Sequence, residues 1–125
     1  MVLVDTSVWI DHLRNSEPLL VQLLESERVL CHAFVRGELA LGHLKQRQAI
    51  LSLLDNLPQA PIAFADEINA YIEKHSLYGL GIGFIDVHLL AATSVAINTK
   101  LWTRDKRLLA VATRLNVAFN DQSSG

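Results

Sequence analysis

The chain has 125 residues, of which 50% are hydrophobic and 19% charged, and its formal net charge at pH 7 is −2. This length and composition predict one folded domain and exclude a disordered chain, whereas the charge alone does not indicate a nucleic-acid-binding protein. No apolar run approaches the roughly 18 residues of a membrane-spanning helix, and Asp5 interrupts the first apolar run too early for a signal peptide. A lone cysteine, Cys31, excludes an internal disulfide framework, so we expect a buried thiol in a cytoplasmic protein.

Short apolar segments alternate with amphipathic ones along the chain. Val2–Val4 predicts a buried strand, and the helix that follows over 6–14 would be capped by Thr6 or Ser7. Further helices are predicted over 17–25, 33–44, 46–57, 66–77 with Asp66 as its cap, 84–97 and 105–114, and further strands over 28–31, 61–64, 100–103 and 117–119. This alternation predicts an α/β fold, an α/β/α sandwich with a central, mostly parallel sheet, over residues 1–120, followed by a loose tail over 121–125.

Three glycines at alternate positions, Gly79, Gly81 and Gly83, lie between two of the predicted helices. The run superficially resembles a phosphate-binding loop, but a dinucleotide-binding loop follows a strand and has a different final glycine spacing. We therefore expect a flexible turn here and not a nucleotide site.

Four acidic residues occupy positions that favour a functional role. Asp5 and Asp105 lie just beyond the carboxyl ends of two predicted strands, where ligands bind in open α/β sheets. Asp86 and Glu38 have apolar or small residues as their neighbours three and four positions away on a helix, where an isolated carboxylate is expensive. We expect two acids from loops and two from inward helix faces to converge on one pocket.

Four ionised carboxylates in one pocket repel one another unless a cation lies between them. Oxygen ligands without clustered cysteine favour Mg²⁺ or Mn²⁺ over Zn²⁺, and such an ion can activate water for a displacement at phosphorus. Any one acid also has a structural explanation, since Asp105 is equally well placed to cap the helix over 105–114. The two acids in apolar stripes are harder to explain by structure alone.

Four short segments, in chain order, resemble the successive motifs of PIN-domain ribonucleases. They are DTSVWI at 5–10, GELALG at 37–42, IDVHLLAA at 85–92 and LWTRD at 101–105. Each motif alone is short and weakly specific, but the ordered set spans residues 2–119. The chain is therefore similar to the short, single-domain VapC toxins of type II toxin–antitoxin pairs.

The resemblance implies an endoribonuclease that depends on Mg²⁺ or Mn²⁺ and hydrolyses phosphodiester bonds of structured RNA, such as tRNA or rRNA. Carried over to this sequence, the catalytic and metal-binding residues would be Asp5, Glu38, Asp86 and Asp105, with Ser7 and Thr103 in supporting roles. The resemblance also implies a cognate VapB-type antitoxin protein as partner, and a homodimer.

A basic cluster lies beside the fourth acid and consists of Lys100, Arg104, Lys106 and Arg107. Such a cluster is as often a solvated surface as a contact for RNA phosphates. Arg104, nearest the acid, is the first candidate for an RNA contact, and Lys106 is the second.

Histidines and tryptophans are weaker candidates. The five histidines have no partner at ligand spacing, so we expect them in the core or on the surface. Trp9 and Trp102 could stack on bases, but their apolar neighbours favour packing in the core.

Three other functions are weighed against the nuclease. A receiver-like phosphoacceptor module needs adjacent acids after the first strand, where Thr6 stands, and an acceptor aspartate after a middle strand, where Cys31 and His32 stand. A phosphatase of the haloacid-dehalogenase type needs a second acid at position 7, where the chain has Ser7. A catalytically silent RNA-binding scaffold would bind RNA without turnover.

Overall fold

A computed structural model describes residues 1–121 of the chain. The strands are β1 (Val2–Val4), β2 (Val29–Leu30) and β3 (Lys100–Trp102). The helices are α1 (Thr6–Arg14), α2 (Pro18–Glu25), α3 (Ala33–Ala40), α4 (Arg47–Asn56), α5 (Ala65–His75), α6 (Phe84–Val95) and α7 (Lys106–Arg114). The tail expected over 121–125 lies, beyond Asp121, outside the described residues.

The three strands form one parallel sheet in the order β2-β1-β3. Val2 lies opposite Val29 on one side and Lys100 on the other, and Val4 lies opposite Trp102. Parallel neighbours need long crossover connections, and here helices supply them. The predicted α/β fold with a parallel sheet is confirmed.

Two predicted edge strands are wrong. No strand forms over 61–64. The only pairing near this segment within residues 1–121 is an isolated bridge between Gln59 and Cys31, because Pro61 lacks the N–H that would continue the ladder. The strand expected over 117–119 is reduced to an isolated bridge between Ala118 and Leu101. Both bridges are parallel, so they extend the sheet at its two edges and the sheet remains parallel.

The predicted cap of the first helix is also wrong. Asp5, and not Thr6 or Ser7, is the N-cap residue of α1, and its carbonyl oxygen accepts the N–H of Val8 at 3.1 Å. Asp5 alone separates the end of β1 from the start of α1, so it occupies the N-cap position. The hydroxyls of Thr6 and Ser7 are therefore available for other partners.

Two further helix ends differ from expectation. α5 begins at Ala65 with Phe64 as its N-cap residue, because the Oε1 of Glu67 accepts the N–H of Phe64 at 2.8 Å. Asp66 therefore lies inside the first turn and is not the cap. The helix expected over 33–44 ends at Ala40.

The core lies on both faces of the sheet. Val2, Leu3 and Val4 are all buried although successive strand residues point to opposite faces, which is typical of a central parallel strand. Trp9 and Trp102 are fully buried, as predicted. Within residues 1–121, no helix combines the length and the apolar character needed to cross a membrane.

Candidate active site

The parallel pairing of β1 with β3 brings the first and fourth acids to one edge of the sheet. Val4 lies opposite Trp102, and the backbone N–H of Asp5 donates to the carbonyl oxygen of Trp102 at 2.9 Å. Both strands end at this point, so the segments that carry Asp5 and Asp105 leave the sheet side by side. This is the carboxyl edge at which the sequence predicted a site.

Two hydroxyl groups hold the carboxylate of Asp5, which is buried. The Oγ of Ser7 and the Oγ1 of Thr103 donate to its Oδ2 at 2.7 Å and 2.8 Å. The same hydroxyl oxygens accept the backbone N–H groups of Arg104, at 3.0 Å, and Asp105, at 3.1 Å. Each hydroxyl thus joins Asp5 to the turn after β3, and Ser7 and Thr103 fix the carboxylate in place.

Asp105 caps α7. Its Oδ1 accepts the backbone N–H groups of Arg107 at 2.9 Å and Leu108 at 3.1 Å. The capping explanation that the sequence left open is therefore correct, but it occupies only one of the two carboxylate oxygens.

The second and third acids are held in the same way. The Oγ1 of Thr6 donates to the Oε1 of Glu38 at 2.7 Å, and the backbone N–H of Gly83 donates to the Oδ2 of Asp86 at 2.9 Å. Asp86 lies in the first turn of α6 and is half-buried. Glu38 is exposed, so the prediction that it lies on an inward helix face is wrong. The spacing of apolar residues along α3 could not show that the face carrying Glu38 is open both to the site and to solvent.

The charges of the four acids affect one another. Burial raises the pKa of Asp86 most, and the negative charges of Asp5, Asp105 and Glu38 raise it further, against the hydrogen bond from Gly83, which lowers it. Charges affect a pKa in this way only at short range. The structure therefore places the other three predicted acids within electrostatic reach of Asp86.

The free oxygens of these acids make a donor set suited to a hard cation. In each acid one oxygen is held by a hydrogen bond, and the other has no hydrogen-bond partner within residues 1–121. No lysine or arginine of that range forms an ion pair with them. As the side chains stand, no three His, Cys, Asp or Glu groups among the described residues lie close enough to hold one ion. Mg²⁺ in proteins commonly uses one or two carboxylates and keeps several waters, so the donor set fits such an ion.

Arg104, the first candidate for an RNA contact, has carboxylate partners within the chain. Its Nη1 donates to the Oδ2 of Asp11 at 2.9 Å, its Nη2 pairs with Glu17, and the Oδ2 of Asp121 lies 3.8 Å away. The guanidinium also lies over the ring of Trp102, 5.7 Å from its centroid. Spacing could not predict these contacts, because Asp11 and Glu17 lie 93 and 87 positions from Arg104 in the chain.

Two histidines are core residues. His32 is fully buried, and its Nδ1 accepts the N–H of Phe34 at 3.0 Å as the cap of α3. Burial, with the neighbouring His88, lowers the pKa of His32 to about 4. His88 is buried between Phe34 and Phe84, and burial lowers its pKa as well.

Comparison with known proteins agrees with this arrangement. A family model described as "PIN domain" matches residues 2–114, which include all four acids. Ribonuclease VapC32, from two strains of Mycobacterium tuberculosis, is 44% identical over 124 residues, covering 99% of this chain and 100% of that protein. The chain belongs to the PIN-domain family and is of the VapC type.

Proposed function

We propose that this protein is an endoribonuclease that depends on a divalent metal ion and acts as the toxin of a toxin–antitoxin pair. The observation that carries the proposal is the shared electrostatic environment of Asp5, Glu38, Asp86 and Asp105, each with one oxygen left without a protein partner. A relative similar over nearly the whole chain is named a ribonuclease, which supports RNA as the substrate. Within RNA we propose structured targets such as tRNA or rRNA.

Asp5, Glu38, Asp86 and Asp105 would form the site for Mg²⁺ or Mn²⁺, with unengaged oxygens of one or two of them as direct ligands and the others bound through water. When bound, such an ion supplies positive charge at the scissile phosphate and makes a water molecule more acidic. Neighbouring residues of the chain hold the carboxylates in position. Ser7 and Thr103 hold Asp5, Thr6 holds Glu38, and each leaves an oxygen of its acid available. A metal site built on such preset ligands loses little entropy when it forms.

Of the two residues predicted to bind RNA, Lys106 is the simpler candidate. It is exposed on the first turn of α7, one residue after Asp105. Arg104 would reach a phosphate only by exchanging its contacts with Asp11 and Glu17. We therefore propose that Arg104 acts mainly on the structure of the site.

The receiver-like alternative finds no support in the fold. β2 is followed by Cys31 and His32, both buried, so the neighbouring strand offers no acceptor carboxylate beside Asp5. The silent-scaffold alternative keeps the same site and differs only in lacking turnover, which makes it an outcome of the experiment below.

The test is a cleavage time course on total cellular RNA with purified protein. It compares wild type, Asp5→Asn and the control Asp11→Asn, each with Mg²⁺, with Mn²⁺ and with a chelator. We expect discrete fragments that require both the metal and Asp5, and Asp11→Asn should cleave like wild type. Fragments that persist with chelator or in Asp5→Asn would contradict the proposal, and RNA binding without any cleavage would favour the scaffold.

A groove beside Glu38 supports a protein partner. It has a volume of about 490 Å³ and lies between α1 and the segment after α3, with Ile10, Leu13, Leu39 and Leu44 among its apolar lining residues. We propose that a segment of a VapB-type antitoxin occupies this groove and covers the acid. Co-expression tests it: the neighbouring gene's product should suppress cleavage by wild type, and Ile10→Glu should cleave normally but escape suppression. Equal suppression of both would contradict this surface.

A second apolar surface supports self-association. Ile62, Phe64 and Val95 are exposed large hydrophobic residues, and Ile62 and Val95 line a common cleft of about 290 Å³. Such clusters often mark protein interfaces. We propose a homodimer through this surface, so Val95→Glu should convert a dimer into a monomer in sedimentation experiments.

An unpaired, buried Cys31 and an RNA substrate fit action in the cytoplasm.

A further inference from the structure

The glycine-rich turn before α6 is shaped around an arginine. Gly81 has a φ of +77°, and a Cβ added to it would lie 2.7 Å from the Nη1 and 2.9 Å from the Cδ of Arg107. The side chain of Arg107 therefore packs across the face of Gly81, and the Cβ of any other residue would force the arginine side chain to move. The positive φ of Gly81 favours glycine at this position.

This contact places Arg107 between the segments that carry the third and fourth acids. Its own backbone N–H donates to the Oδ1 of Asp105 at 2.9 Å. Gly81 lies two residues before Gly83, whose N–H holds Asp86. No ion pair within residues 1–121 joins Arg107 to any of the four acids, so its guanidinium lies beside this group and not within it. It lies at the rim of the candidate active site.

Of the four residues in the basic cluster, Arg107 and Lys106 have side chains without a hydrogen-bond or ion-pair partner within residues 1–121. Arg104 pairs with Asp11 and Glu17, and the Nζ of Lys100 donates to the carbonyl oxygen of Asn116 at 2.9 Å. Arg107 is exposed, and its side chain makes no hydrogen bond or ion pair with residues 1–121. Its side chain lies against Gly81, and its N–H groups remain available.

We infer that Arg107 binds an RNA phosphate adjacent to the one that is cleaved. A guanidinium presents a planar pair of N–H donors that matches phosphate oxygens, and its charge offsets the repulsion between RNA and the four acids. Its position outside the acids suits a neighbouring phosphate and not the reacting one. The inference rests on the proposed nuclease function, and it assigns the role of phosphate contact to Arg107 in place of Arg104.

Salt-dependent RNA binding provides the test. The probe is a fluorescein-labelled, 12-nucleotide single-stranded RNA, and binding is followed by fluorescence anisotropy at several salt concentrations. Arg107→Gln should weaken binding about tenfold at low salt, the effect of losing one charge-assisted contact. The slope of log affinity against log salt concentration should fall by about 0.7. Metal affinity, measured with Mn²⁺, should not change.

Two further variants separate position from charge. Arg28→Gln removes the same charge just before β2, at the opposite edge of the sheet, and should bind RNA like wild type. Gly81→Ala keeps the arginine but displaces it, and should weaken binding as Arg107→Gln does. Unchanged affinity in Arg107→Gln, or an equal loss in Arg28→Gln, would overturn the inference. If Arg107→Gln weakens binding but wild type shows no metal-dependent cleavage, the contact stands and the nuclease function fails.

Discussion

Two groups of carboxylates lie near the carboxyl edge of the sheet, and they differ in what compensates their charge. Asp11 and Glu17, with Asp121 further away, surround the guanidinium of Arg104. The four acids that begin with Asp5 have only neutral donors as partners within residues 1–121: two threonines, one serine and backbone N–H groups. One group surrounds a cation that the chain supplies, and in the other no lysine or arginine within residues 1–121 offsets the negative charge.

The difference separates a structural cluster from a candidate catalytic one. A carboxylate paired with arginine within the fold stabilises that fold, whereas burial, and then repulsion by the other three acids, raises the pKa of Asp86. Neutral hydrogen-bond donors orient a carboxylate without satisfying its charge, which leaves it able to bind a cation. The four experiments that follow test this distinction.

Removing an acid from each group should have opposite consequences. Asp5→Asn keeps an oxygen that can accept from Ser7 and Thr103, so the fold should persist, but RNA hydrolysis should fall about 1,000-fold, or about 4 kcal/mol. Asp11→Asn should hydrolyse RNA within about twofold of wild type, because its group does not hold the metal. Single-turnover rates measure both, and a similar loss in the two variants would remove the distinction.

Removing the cation of the structural cluster should lower stability. Arg104→Gln leaves Glu17, which is largely buried, without its partner, and should reduce the free energy of unfolding by about 1–2 kcal/mol. Urea denaturation measures this, and the double variant Arg104→Gln with Glu17→Gln should recover part of the loss. If Arg104→Gln were as stable as wild type, the guanidinium would not be the element that balances this cluster.

The hydroxyl that holds Glu38 should affect metal binding more weakly. Thr6→Val removes the donor to the Oε1 of Glu38 and should weaken Mn²⁺ binding about fivefold, close to 1 kcal/mol for one hydrogen bond. Thr6→Ser keeps the hydroxyl and should bind like wild type. Calorimetric titration measures all three proteins. Equal affinity for Thr6→Val and wild type would mean that Glu38 needs no orientation.

The smallest effect is a pH dependence of the metal-free protein. The pKa of Asp86 is higher in the folded than in the unfolded protein, so the folded protein is favoured while Asp86 is protonated. This contribution to stability is lost as pH rises through the raised pKa, because ionisation of Asp86 opposes folding. The buried His32, with a pKa of about 4, acts in the opposite direction between about pH 4 and 6.5. The difference between wild type and Asp86→Asn therefore isolates Asp86. Asp86→Asn should gain stability relative to wild type as pH increases, and a constant difference would exclude a raised pKa of Asp86 in the folded protein.

The sequence predicted the parallel sheet and the four acids because both leave local signals. A short apolar run followed at once by aspartate marks the end of a buried strand, and this holds for Asp5. The two edge strands predicted over 61–64 and 117–119 do not form, and the reason is physical: at Gln59 and Ala118 the pairing is a single bridge, which depends on the neighbouring strand and not on local pattern.

The contacts that hold the site were not predictable from spacing. Thr6 and Glu38 are 32 positions apart, and Ser7 and Arg104 are 97 positions apart, so their hydrogen bonds exist only in the folded chain. Thr6 carried a sequence signal, but that signal indicated a helix cap. The glycine at position 81 indicated a turn, and only the fold shows that it makes room for Arg107.

The most direct test of the account is Mn²⁺ binding, followed by electron paramagnetic resonance of the free ion. Wild type and Asp11→Asn should bind Mn²⁺ with equal affinity, whereas Asp5→Asn and Asp86→Asn should each bind at least tenfold more weakly. That result would establish Asp5 and Asp86 as parts of the metal site and would place Asp11, a partner of Arg104, outside it. Failure of wild type to bind Mn²⁺, or an equal loss in Asp11→Asn, would contradict the account.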